Sequence, residues 1–176
     1  MRRALTLCTA LLLSAALFGQ APRRAPGFSL PDSKGQQHDL QDYRGKVVIV
    51  DIMRSDCVHC QPFAKKLEQI KTFNAGKVAV ISITNPPDSP AAVNKFIAAQ
   101  KLTFPVLFDC GQVAFSYVRP SPLKPSINIP HLFLIDRDGF IVKDFEFGPD
   151  TTEIFQGDGL QAEIDKLLAA KPAQKR

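Results

Sequence analysis

Cys57 and Cys60, in the run Cys57-Val58-His59-Cys60, are the residues of this chain best suited to covalent chemistry. They follow Lys46-Val47-Val48-Ile49-Val50-Asp51-Ile52-Met53, a β-branched apolar run that reads as a buried strand. A helical pattern begins just after them. A Cys-x-x-Cys at the start of a helix sets the first sulfur beside unpaired N–H groups and the positive end of the helix dipole, which lowers the thiol pKa. The second sulfur, one turn along, can reach a mixed disulfide made by the first and displace the partner. The chemistry this spacing points to is thiol–disulfide exchange.

The elements around the pair are legible as periodicities. Phe63, Leu67 and Ile70 predict an amphipathic helix to about Phe73, ended by Asn74-Ala75-Gly76. A second buried strand is expected over 77–84, then a loop, Asn85-Pro86-Pro87-Asp88. Ser89 caps a helix whose first position is Pro90. A short strand over 104–108 and a helical turn or two over 112–117 follow. The four prolines within 119–130 exclude regular structure there. A strand over 131–135, the turn Asp136-Arg137-Asp138-Gly139 and a strand over 140–147 make a hairpin. Leu160, Ile164, Leu167 and Leu168 mark a closing helix. Before the main sheet, Gly27-Phe28-Ser29-Leu30 and Gln37-His38-Asp39-Leu40 flank a turn and predict a small hairpin. The order is α/β, with parallel pairing through right-handed crossovers and one antiparallel pair at the end.

Composition suits one domain: 176 residues, 45% hydrophobic, 13 Phe and no Trp. Arg2 and Arg3 supply two of the five excess positive charges, and the remaining basic residues are scattered rather than striped, which argues against nucleic-acid binding. Met1-Arg2-Arg3 followed by an apolar run over 4–18 reads as a secretory signal peptide, too short for a membrane span. The expected organisation is a signal peptide over 1–21, a basic linker over 22–26, one domain over 27–170 and a flexible basic tail over 171–176. The predicted location is periplasmic or otherwise extracytoplasmic, with membrane attachment only if the N-terminal segment stays uncleaved. Export leaves Cys57, Cys60 and Cys110, an odd number that fits a redox pair plus a single cysteine better than a disulfide scaffold. Cys110 is expected to pack half-buried near the third strand.

Taken together, the chain resembles the thioredoxin-fold proteins, most of all the exported TlpA/ResA-like branch that overlaps the peroxiredoxin-related AhpC/TSA group. The likeness rests on Phe28-Ser29-Leu30 with Gly35, Tyr43-Arg44-Gly45-Lys46-Val47-Val48, the Cys57/Cys60 pair, and Ile129-Pro130 followed by Leu132-Phe133-Leu134-Ile135-Asp136-Arg137-Asp138-Gly139. It implies a thioredoxin fold, a central mixed sheet flanked by helices, with an added N-terminal β-hairpin. It implies that Cys57 attacks, that Cys60 resolves, and that Asp51, six residues before Cys57, is a buried acid that takes the proton from Cys60. Pro130 matches the family's cis-proline facing the disulfide, which leaves the Ile129 backbone free to pair with a bound peptide. His59 between the cysteines resembles strongly oxidising relatives, because a His there stabilises the reduced state. Exported relatives are more often reductants kept reduced by a membrane or periplasmic partner, and the resemblance favours reductant over oxidant. Asp56 stands where the family usually has Trp, and Lys65 where it has a helix-kinking proline.

Other readings remain in view. A haem site needs His after the second cysteine, where Gln61 stands, and a zinc site needs more ligands than one cysteine pair. Val50 and Arg54 break the peroxidatic Pro-x-x-x-Thr-x-x-Cys pattern. A copper chaperone on the same fold could use Cys57, Cys60 and His131. A non-catalytic thioredoxin-like binding module is the plainest alternative. The favoured reading has no cofactor and no metal, and its partners are protein thiols and disulfides.

Overall fold

The computed structural model describes residues 21–170. The expected signal peptide, apart from its last residue, and the expected basic tail lie outside the described residues.

The sheet is built around β4 (Val47–Met53), all seven residues of which are buried. Its run of Val and Ile suits a strand covered on both faces. It pairs in parallel with β5 (Val78–Thr84) and antiparallel with β7 (His131–Ile135). With β1 (Arg23–Arg24), β6 (Val106–Phe108) and β8 (Phe140–Glu146), the order across the sheet is β1-β8-β7-β4-β5-β6. The predicted hairpin forms a separate two-stranded sheet of β2 (Ser29–Pro31) and β3 (Gln37–Asp39). The fold class read from the sequence is therefore the one found.

Alternation along β4 sorts its side chains onto two cores. Val47, Ile49 and Met53 pack with α1 (Cys60–Phe73), α2 (Pro90–Gln100) and α5 (Asp158–Ala169) through Phe63, Leu67, Val93, Phe96, Leu160 and Ile164. Val48, Val50 and Ile52 pack on the opposite face with Phe28, Leu40 and α3 (Gln112–Val118), whose Tyr117 is fully buried. The chain steps β4–β5–β6 in one direction, so right-handed crossovers put α1 and α2 on one face. It returns to β7 past α3 on the other. Asp51, at an odd position of β4, falls on the α1 face.

Three details depart from the sequence reading. Arg23–Arg24, expected within a linker, is an edge strand paired with Ile141 and Phe140. Its prolines at 22 and 26 flank the pairing residues rather than interrupt them. Arg24 lies over the Phe140 ring at 4.8 Å, and Arg23 Nη2 donates to the Tyr117 carbonyl. A further short helix, α4 (Thr152–Gln156), precedes α5 and buries Phe155 against the first core. Cys110 is exposed rather than half-buried, because it is Asp109 beside it that turns inward to accept from the Val113 and Ala114 N–H groups.

Candidate active site

β4 ends at Met53, and the chain makes a turn over Arg54-Ser55-Asp56 before α1 opens at Cys60 with His59 as its N-cap. The two cysteines lie at this junction and form a disulfide with Cα atoms 5.2 Å apart. They are unequal. Cys57 is partly exposed, whereas Cys60 is 1% exposed and packs in the first core. The Cys60 backbone N–H donates to Cys57 Sγ at 3.1 Å. This is one of the unpaired first-turn N–H groups of the helix, aimed at the outer sulfur.

Across from the pair, the Ile129–Pro130 bond is cis, and the Ile129 carbonyl lies 3.9 Å from Cys57 Sγ. Pro130 is buried and Ile129 half-buried. The Pro130 carbonyl accepts from Phe147 N–H at 3.2 Å. The proline-rich stretch ahead of it carries Leu123, which is 98% exposed.

Asp51 is 2% exposed. Its Oδ2 accepts from Ser82 Oγ at 2.9 Å, and its Oδ1 is buried without a hydrogen-bond partner. Burial pushes its carboxyl up to about 7, the Ser82 hydroxyl opposing in part. A carboxyl in that range can gain or lose a proton near neutrality.

His59 is exposed and stacks on Phe147, ring centroids 4.4 Å apart. Arg54 Nη2 lies 2.5 Å from Asp56 Oδ2, so the carboxylate beside Cys57 has a cation of its own. His131 is not brought to the cysteines. It stands opposite Ile52 in the register, and its ring stacks on Phe133 in the second core, on the face away from Cys60. Its Nε2 is 2.6 Å from Asp144 Oδ1. The copper set of Cys57, Cys60 and His131 is therefore not assembled, because strand alternation points His131 to the other side of the sheet. Among the described residues no group of three His, Cys, Asp or Glu side chains is placed to hold a metal.

Three site residues escaped the sequence reading. Ser82 lies directly opposite Asp51 in the register, and a lone hydroxyl inside the apolar run Val78-Ala79-Val80-Ile81-Ser82-Ile83 was its only signal. Phe147 was assigned to a strand, with nothing to mark its stacking on His59. Asp88, placed in a loop, accepts from Ser55 N at 2.8 Å and from Ser55 Oγ at 2.6 Å.

A model of the AhpC/TSA family matches residues 22–144. The chain belongs to the AhpC/TSA family. This AhpC/TSA chain is 32% identical over 118 residues to the thiol-disulfide oxidoreductase ResA of Geobacillus kaustophilus, covering 65% of this chain and 63% of that one. It is 28% identical over 134 residues to the thioredoxin-like protein YneN of Bacillus subtilis, covering 75% and 74%. Its fold is similar to a crystal structure from Chlorobium tepidum provisionally named thiol:disulfide interchange protein DsbE, with TM-score 0.65, 28% identity and coverage of 80% and 96%. The chain thus has the thioredoxin fold in a ResA-like form, as its motifs implied.

Proposed function

We propose that this protein is an exported thiol–disulfide oxidoreductase that reduces disulfides in partner polypeptides. Membership of the AhpC/TSA family, ResA as a relative and the Cys57/Cys60 pair make it a thioredoxin-like oxidoreductase. The carrying observation is the inequality of the two sulfurs: Cys57 is reachable and receives the Cys60 N–H, while Cys60 is sealed behind it.

In the reduced protein the Cys57 thiolate attacks one sulfur of the partner disulfide. That bond breaks, a Cys57–partner bond forms, and the other partner sulfur leaves as a thiolate. Cys60 then loses its proton to Asp51 and attacks Cys57, releasing the partner's second thiolate and closing the Cys57–Cys60 disulfide. Two electrons pass to the partner in all. Asp51 suits the proton step because it is buried on the Cys60 face of β4 and titrates near neutrality. Ile129 offers its backbone beside Cys57 for an extended peptide. His59 lines the approach, its ring stacked on Phe147. The reductant is recharged by a membrane or periplasmic thiol partner.

Equilibration against glutathione buffers tests the direction. A potential near that of thioredoxin, about −270 mV, is expected, and one near −120 mV would contradict it. Insulin reduction by dithiothreitol should be accelerated by the protein and not by its Cys57→Ser variant.

A further inference from the structure

We infer that Asp88 is a positioning residue for Cys57. It touches neither sulfur. It grips the segment that carries Cys57 and thereby aims the thiolate at the N-terminus of α1. The inference rests on the assignment of Cys57 as the attacking sulfur.

Asp88 lies in the loop after β5, the strand beside β4. Its Oδ2 accepts from Ser55 N at 2.8 Å and from the Thr84 hydroxyl, and its Oδ1 accepts from Ser55 Oγ at 2.6 Å. Thr84 is fully buried and stands opposite Met53, the last residue of β4. The carboxylate therefore ties the rigid end of the sheet to the second residue before Cys57. Ser55 is held from the other side as well: its carbonyl accepts from Gln61 Nε2 at 3.3 Å, in the first turn of α1. Cys57 N–H closes the same turn on the Arg54 carbonyl at 3.3 Å. The later part of the segment is held by α1, Gln61 and Phe63 N–H donating to the Cys57 and His59 carbonyls at 3.2 and 3.4 Å, and its earlier part, at Ser55, by Asp88. The 3.1 Å bond from Cys60 N–H to Cys57 Sγ depends on where that segment lies.

Asp88 has no salt bridge among the described residues, and its acceptors go to neutral N–H and O–H donors. A helix cap explains neither, because Ser89, not Asp88, caps α2 through the Ala92 N–H. The two roles open to a carboxylate at this place have opposite signs. As a bare charge it would disfavour the Cys57 thiolate. As a clamp it favours the thiolate, by keeping the helix N–H groups on it.

The test is the pH dependence of Cys57 alkylation by iodoacetamide in the reduced protein, with the modified cysteine mapped by mass spectrometry. Asp88→Ala is expected to raise the midpoint and slow alkylation at neutral pH about tenfold, the loss of roughly one hydrogen bond. Asp88→Asn removes the charge but can still hydrogen-bond Ser55 and Thr84, since hydroxyls rotate to donate or accept. It is expected to stay near wild type. Ser55→Ala removes one arm and should move the midpoint the same way by less. It also carries the test should Asp88→Ala not fold. A lowered midpoint in both Asp88 variants would mean a bare charge effect and overturn the inference. So would unchanged midpoints with only a lower melting temperature. Either result would leave wild-type insulin reduction, and with it the proposed function, standing.

Discussion

At the scale of single residues, the exchange proposed above asks for two sulfurs in different surroundings and a proton acceptor on the side of the inner one. Cys57 lies at the surface with an N–H aimed at it, and Cys60 lies inside. Asp51 is the costliest of the three. Burial penalises its charge and pushes the folded carboxyl from the ordinary 3.8 up to about 7. The folded state therefore holds this proton more tightly than the unfolded chain. Stability attributable to Asp51 is greatest below about 4 and falls as pH rises to about 7. Asp51→Asn abolishes that slope. Relative to wild type, its stability should increase by a few kcal/mol between pH 4 and pH 8, measured by urea unfolding of the oxidised protein at each pH. The same variant should slow closure of the Cys57–Cys60 disulfide at neutral pH. The residue types of this site were legible as a string: an acid in an apolar strand, two cysteines and a proline. The supports of those residues were not. Ser82, Asp88 and Phe147 reach the site through strand register and loop packing, which no local spacing encodes.

At the scale of elements, the site is the meeting of one strand end, one helix start and one irregular segment. β4 is fixed by neighbours on both sides and buried on both faces. α1 is held to that sheet by Phe63, Ala64, Leu67 and Ile70. Phe63 is 1% exposed, and its ring meets Phe155 edge-on at 4.8 Å. Phe155 in turn meets Phe147, which carries His59. Phe63→Ala should cost about 3–5 kcal/mol in chemical denaturation, with α1 loosened at its cysteine end. Most elements could be read from sequence because their periods were strong, α1 and β5 above all. The departures have physical causes. β1 exists only by pairing with a strand over 115 positions away in sequence, and a two-residue stretch has no period to read. His131 was grouped with the cysteines by closeness to Pro130 in sequence. Strand alternation, which decides its face, sends it to Asp144 instead.

At the scale of the molecule, the sheet divides the labour. One face carries α1, α2 and α5 with the thiol chemistry, and the other carries α3 and Tyr117 and closes the second core. β1 seals the edge of the sheet over this second face, with Arg23 5.9 Å from the Phe133 ring. Only a chain that keeps Arg23 and Arg24 can form this edge pairing. A chain beginning at Ala25 should be about 1–2 kcal/mol less stable than one beginning at Pro22 and melt roughly 3–6 °C lower by calorimetry. No helix among the described residues is long and apolar enough to cross a membrane. Both faces depend on β4, and the reactive pair hangs from its end.

The division of roles between the two sulfurs is tested most directly by trapping. Reduced Cys60→Ser and Cys57→Ser proteins are each mixed with a disulfide-bonded peptide, quenched with acid and weighed by mass spectrometry. The account predicts a lasting mixed disulfide on Cys57 of the Cys60→Ser protein, and almost none on Cys60 of the Cys57→Ser protein. Equal adducts on both variants, or an adduct on Cys60 alone, would contradict it.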